Sequence, residues 1–192
     1  MYIVAFNGPP RCGKDTMSHM LAAHLDKVSD LPVIEASLST PLRRVAYAMT
    51  SWGGALDGDD YEKFKLTHFA EFGKDGRQIM IDVSEQFLKP RYGKEIMTRM
   101  LLHSLTGFDG IVLVRDSGFQ IEVTPLATWV GADNLYVVRV ARKGCDFSND
   151  SRESVTGPKW NADVANNGTL LDLQTEAIRM YGRMVNQLGW KL

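Results

Sequence analysis

Residues 8–16 read Gly8-Pro9-Pro10-Arg11-Cys12-Gly13-Lys14-Asp15-Thr16, a GxxxxGK loop with Asp15 where serine or threonine usually stands. The apolar run Tyr2-Ile3-Val4-Ala5-Phe6 before it reads as a buried strand. After it, Met17, Met20, Leu21, Leu25 and Val28 recur at helical spacing, which predicts a helix from Lys14 to about Lys27. Strand, glycine loop and helix commit the start of the chain to an α/β fold. Gly8 and Gly13 permit torsions that turn successive N–H groups inward, and the helix dipole adds partial positive charge there. Such a loop cradles phosphate, with Lys14, expected at its exposed mouth, bridging the β- and γ-phosphates of a nucleoside triphosphate.

Asp15 suits the first helical turn but would repel a triphosphate. A bound Mg²⁺ relieves that repulsion, held by Asp15 directly or through water, with the Thr16 hydroxyl as another ligand. Cys12 reads as a residue that fills the loop, since no resolving thiol stands near it in sequence.

At 192 residues and 44% hydrophobic content, the chain is long enough for one α/β domain with a real core. Its 22 basic and 23 acidic residues nearly cancel, so no global field favours nucleic acid or an anionic membrane. Two cysteines without CxxC spacing argue against a zinc site or a disulfide framework and fit a reducing cytoplasm. The N-terminal run is too short for a signal peptide, and no run approaches the length of a membrane-spanning helix.

Strand-like runs then alternate with helical patterns, the signature of a parallel sheet covered on both faces. Pro32–Ala36 is the expected second strand, followed by a helix that starts near Pro41. Between Trp52 and Gly76 the pattern weakens and reads as an excursion from the sheet. Helical spacing returns from Arg77 to Leu105, with a break expected at Lys89-Pro90-Arg91-Tyr92-Gly93. Ile111–Val114 and Leu135–Val140 are further strands, Asp163–Asn166 a weaker last one, and Leu170 to Leu188 a final amphipathic helix.

Ligands gather at the carboxyl ends of strands in such sheets, so the residues there are the candidates. After the second strand stand Ser37, Ser39, Thr40, Arg43 and Arg44; one of the arginines can hold an acceptor phosphate, or both can belong to a solvated helix face. Asp116, after the third, can hold Mg²⁺ through water or orient an acceptor, its plainer role being a turn former. Arg139, Arg142, Lys143 and Arg152 crowd the end of the fourth strand and can neutralise charge on a transferring phosphoryl group. The glycines, serines and asparagines between Gly144 and Gly157 suggest a mobile flap that excludes water. Asn166-Asn167-Gly168 can lie against a purine base or form a plain turn.

Gly8–Thr16 with its GKDT ending, Leu38-Ser39-Thr40-Pro41-Leu42, Asp116 before Ser117-Gly118-Phe119, Val137-Val138-Arg139, and Asp163 followed by Asn166-Asn167-Gly168 together make the chain similar to bacteriophage deoxynucleoside monophosphate kinases. The resemblance implies a P-loop NTPase fold of the nucleoside monophosphate kinase type, with about five parallel strands and a single domain. Its core would be 1–50, 106–141 and 158–192, its helical acceptor-binding insertion about 51–105, and its lid about 142–157. It implies ATP phosphates at Gly8, Pro9, Pro10, Arg11, Cys12, Gly13, Lys14, Asp15 and Thr16, adenine near Asn167 and Gly168, and Mg²⁺ at Asp15, Thr16 and Asp116. The catalytic set would be Lys14, Asp116, Arg139, Arg142 and Arg152. Ser39, Thr40, Arg43, Arg77 and Gln78 would bind the acceptor. The turn at Asp116 lacks the proline and arginine of the adenylate kinase turn it otherwise resembles.

The expected reaction is therefore ATP-dependent transfer to a (deoxy)nucleoside monophosphate. The chain also resembles phage kinases that phosphorylate 5-hydroxymethyluracil in DNA, and Lys65, Lys89, Arg91 and Lys94 are candidates to line a groove for a strand. A nucleotide-binding regulator or small ATPase is a third reading, weakened because Val112-Leu113-Val114-Arg115-Asp116-Ser117 lacks the second acid of a motor. Expected partners are a nucleotide or DNA and no membrane, in the host cytoplasm if the gene is a phage's, with a homodimer left open.

Overall fold

The computed structural model describes residues 1–148, 150 and 152–192; positions 149 and 151, both within the expected lid, lie outside the described residues. Along the chain run β1 (Tyr2–Asn7), α1 (Lys14–Val28), β2 (Val33–Ala36), α2 (Thr40–Thr50), α3 (Gly58–Leu66), β3 (His68–Phe69), β4 (Lys74–Asp75) and α4 (Gly76–Asp82). A wider helical turn over Val83–Leu88 leads into α5 (Lys89–Tyr92), followed by α6 (Ile96–Ser104), β5 (Ile111–Val114), α7 (Gln120–Val130), β6 (Leu135–Ala141), β7 (Trp160–Ala165) and α8 (Leu170–Asn186).

The first compact unit comprises Met1–Ser37 and Leu105–Leu192. Its five strands are all parallel, in the order β2-β5-β1-β6-β7. The inner strands are apolar on both faces, as a sheet covered on both sides requires: Ile3 to Phe6, Ile111 to Val114 and Val137 to Val138 are fully buried. Below β1, the core joins Val4 and Phe6 to Met17, Leu21 and Leu25 of α1 and Leu173, Ala177, Met180 and Met184 of α8. A glycine loop between the central strand and the first helix of such a sheet is the P-loop NTPase arrangement expected from the sequence.

Two elements differ from expectation. The last strand begins at Trp160, since Ala162 and Val164 point inward while Asn161, Asp163 and Ala165 point to solvent, an edge-strand alternation that starts earlier than the apolar letters suggest. Helix α7 is absent from the sequence pattern because Pro125 lies inside it, where a proline removes a donor and normally ends a helix. Buried Val123 and Leu126 hold it in place, and Glu122 accepts from the backbone N–H groups of Gly118 (2.9 Å) and Phe119 (3.0 Å) at its start.

The second unit, Leu38–Ser104, begins before α2 instead of at residue 51. The reason is packing: Ala46 and Tyr47 of α2 share an apolar cluster with Phe64, Ile79, Met80, Val83, Leu88 and Met97. The Tyr47 and Phe64 rings are 4.5 Å apart, and Trp52 and Phe69 complete the aromatic group. The 52–76 excursion contains a helix, α3, and the short antiparallel pair β3–β4. The helical path runs through Pro90, which occupies a first-turn position of α5, and stops at Gly93.

Candidate functional site

The loop after β1 has the backbone its letters predict. Gly13 caps α1 at φ 96°, in the left-handed region, and a Cβ there would stand 2.3 Å from Asn166 Nδ2. Arg11, a non-glycine residue, takes φ 63° at the exposed crown of the loop. Strain of that kind is held only where the surroundings fix it. Here Asn166, just beyond β7, donates from Nδ2 to the Cys12 carbonyl (2.8 Å), while its own N–H bonds Ala141 (2.7 Å). The Asn166 side chain therefore steadies the loop. Asn167 accepts from the Lys143 backbone N–H (2.7 Å), and Gly168 lies against Asp172 of the α8 cap, where a Cβ would be 2.4 Å from the carboxylate.

Cys12 is fully buried in the core, as a loop-filling residue should be, and burial pushes its thiol pKa up. Cys145, the other free cysteine, is half-buried.

Lys14 corrects one expectation. It is only 7% exposed, not at an open mouth, and among the described residues its ammonium has neither a hydrogen-bond nor an ion-pair partner. A largely buried lysine whose ammonium has no protein counter-ion is a position that favours an anion beside it. Asp15 and Thr16 are exposed at the start of α1.

Arg152 is where several sequence candidates converge. It donates from Nε to Asp150 Oδ1 (2.8 Å) and from Nη2 to Oδ2. That pairing raises its guanidinium pKa first, with the charges of Asp116 and Asp15 adding to the effect. Its side chain lies against Gly118, where a Cβ would be 2.5 Å from the arginine Cγ and Cδ. Asp116, at the end of β5, accepts from the buried Ser37 hydroxyl at 2.6 Å. Lys14, Asp15, Asp116 and Arg152 thus all belong to the carboxyl end of the sheet in the first unit.

Arg139 has a different task. It forks onto Asp163 of the neighbouring strand (2.6 and 2.8 Å), which raises its pKa, and reaches Thr156 Oγ1 at 3.3 Å. Arg139 and Asp163 face each other in register, so this pair ties β6 to the edge strand β7. Arg142 is exposed beyond β6.

Asn7 was not singled out from the sequence, although the polar end of an apolar strand is a usable signal. It is 1% exposed. Its amide donates to the carbonyls of Ser117 (2.8 Å) and Glu153 (2.9 Å), and its Oδ1 accepts from Val155 N–H (3.2 Å). One side chain thereby joins the root of the phosphate loop, the turn carrying Asp116 and the segment carrying Arg152. The expected flap is accordingly fixed along residues 152–157: Glu153 N–H bonds Gly118 (2.8 Å), Gln120 exchanges two side-chain bonds with Thr156 (both 2.9 Å), and Val155 is fully buried.

In the second unit the suspected acceptor residues are divided. Arg43, 7% exposed, donates to Leu56 O (2.8 Å), to Asp57 and to Ser39 Oγ (2.8 Å), and stacks 3.8 Å from the Tyr61 ring centre. It is not part of a solvated face; it staples the start of α3 to α2. Gln78 bonds Asp82 (3.1 Å), Arg77 is exposed, and Thr40 opens α2 half-buried.

Metal fit follows from the donor set. Among the described residues no group of three metal-binding side chains is assembled. Asp15, Thr16 and Asp116 offer separate hard oxygens, a set that suits Mg²⁺ when phosphate oxygens and water supply the remaining ligands. Among the described residues no helix is long and apolar enough to cross a membrane.

No family model matches the chain, and no curated protein matches it. Among solved structures it is similar to a gluconokinase from Sinorhizobium meliloti 1021, at 12% identity and a TM-score of 0.49, covering 98% of this chain and 95% of that one. It is also similar to a sugar kinase from Janibacter sp. HTCC2649, at 12% identity and a TM-score of 0.44, with 95% of each chain covered. A shikimate kinase from Bacteroides thetaiotaomicron aligns at 12% identity and a TM-score of 0.37 over 98% of this chain and 82% of that one.

Proposed function

We propose that the protein is an ATP-dependent phosphotransferase acting on a (deoxy)nucleoside monophosphate. The observation that carries this is Lys14, a largely buried residue whose ammonium has no protein counter-ion among the described residues, inside a loop whose backbone is strained and braced. Loop N–H groups and Lys14 hold the β- and γ-phosphates of ATP. Mg²⁺, held by Asp15 or Thr16 and by Asp116 through water, supplies charge neutralisation at those phosphates. Arg152, kept protonated by Asp150, faces the transferring group, and Arg142 adds charge from the exposed part of the same segment. Thr40, Arg77 and Gln78 remain the acceptor candidates of the second unit, since Arg43 and Ser39 bond one another.

A second reading, transfer to 5-hydroxymethyluracil in DNA, has one observation in its favour. Phe87 and Tyr92 are 46% and 50% exposed with ring centres 6.4 Å apart, and the Arg91 guanidinium lies 4.6 Å from the Phe87 ring centre. Exposed rings beside Arg91 and Lys94 form a surface on which an unpaired base can stack.

Incubation with γ-labelled ATP and Mg²⁺ tests both, with deoxynucleoside monophosphates, DNA containing 5-hydroxymethyluracil, and no acceptor in parallel. Label on a free nucleotide is the expected result. Label confined to DNA selects the second reading, and free phosphate without a labelled acceptor indicates a regulator or small ATPase.

A further inference from the structure

The second unit contains a recess of about 480 Å³ that the phosphate loop does not use. Its floor is apolar, formed by Val45 of α2 with Ile96 and Met100 of α6. Its rim carries Arg44, Arg99 and His103, and none of its described lining residues bears a carboxylate. Arg99 is partly engaged, bonding the Tyr92 carbonyl and lying 3.9 Å from Glu95. Arg44 and His103 are exposed, and among the described residues neither has a hydrogen-bond or ionic partner.

Two features define what fits. A concave apolar floor of this volume suits a small molecule with a planar or aliphatic body, because water against it is displaced at a gain. Arg44, a cation without an acid partner among the described residues, favours a ligand that brings the negative charge, and its guanidinium presents a planar fork for an oxyanion. Both features lie on one pair of helices packed within a single compact unit.

We propose that this recess binds a small organic anion: an apolar body seated on Val45, Ile96 and Met100, with a phosphate, sulfonate or carboxylate held by Arg44, beside Arg99 and the His103 ring. The site stands independently of the donor loop, so Lys14→Ala leaves it intact.

The test uses the full chain and two fluorescent probes of nearly equal apolar body, the anionic 1-anilinonaphthalene-8-sulfonate and the neutral N-phenyl-1-naphthylamine. Folding is checked by circular dichroism and thermal melting. The sulfonate binds one per chain and roughly tenfold more tightly than the neutral probe, the scale of one charge-assisted contact. Arg44→Glu and, separately, His103→Glu lower sulfonate affinity while leaving the neutral probe unchanged; both positions are exposed, so neither substitution threatens folding. Met100→Asp removes both probes. Equal affinity of the two probes for the unmodified protein, or sulfonate affinity unchanged in Arg44→Glu, overturns the proposal.

Discussion

The two compact units use their buried polar residues in opposite ways. In the first, buried Asn7 and half-buried Asn166 hold the loop after β1, the Asp116 turn and the Arg152 segment. In the second, the most buried candidate, Arg43, is spent on holding the unit's own helices. A parallel sheet exposes its loops at one end, so polar ties are needed to shape them; a small helical unit with few apolar layers uses a cation to finish its fold. A buried arginine is thus a weaker sign of ligand contact than a buried lysine without a counter-ion.

The largest effect is expected at the donor loop. Lys14→Ala should cut phosphoryl transfer by roughly three orders of magnitude, the scale of removing a cation from a transferring phosphoryl group, with an unchanged melting curve. Full activity in steady-state assays of that variant would eliminate the donor site. The Asn7→Ala variant should cost about 2–3 kcal/mol in urea unfolding, because it strands the buried Ser117 carbonyl and Val155 N–H and the part-buried Glu153 carbonyl, and should lower nucleotide affinity with it. If stability falls while nucleotide affinity holds, Asn7 supports only the sheet end.

Arg43→Ala should destabilise by about 1–3 kcal/mol through the loss of its bonds to Leu56 and Asp57 and of its stacking on Tyr61, and acceptor KM should shift only as far as folding does. A large KM change at unchanged melting temperature would restore Arg43 to the acceptor site and erase the contrast between the units. Gly13→Ala should cost about 1–3 kcal/mol from its left-handed torsion and the clash with Asn166, read by calorimetry with and without ATP.

The smallest effects are at the surface. Iodoacetamide should modify Cys145 in the native protein and reach Cys12 only on unfolding, as peptide mapping by mass spectrometry will show, since burial keeps the Cys12 thiol neutral. Asp172, held below the usual carboxylate range by the Thr169 backbone and hydroxyl, stabilises the α8 N-terminus fully at pH values above that range. A lowered folded pKa means this contribution is lost as pH falls through the folded value, so Asp172→Asn should lower the melting temperature at neutral pH and cease to matter in strong acid.

Much of the first unit was legible because its signals are local. Tyr2–Asn7, Ile111–Val114 and Leu135–Ala141 are continuous apolar runs, and the loop letters specify torsions as well as charge. Helix α7 was hidden by Pro125, which tertiary burial overrides, and the register of β7 by its edge-strand alternation. In the second unit, the boundary at Leu38 depends on Tyr47 meeting Phe64, a contact 17 residues apart that periodicity cannot announce.

Sequence alone determined the α/β class, the phosphate loop and the identity of its lysine, because a turn's torsions and a helix's dipole arise from neighbouring residues. Only the tertiary structure decided that Lys14 is nearly buried, that Arg139 belongs to Asp163, that Arg43 closes its own unit and that Asn7 joins three distant segments. Those outcomes turn on which groups lose water together, and burial is a property of the packed chain, not of any stretch of it.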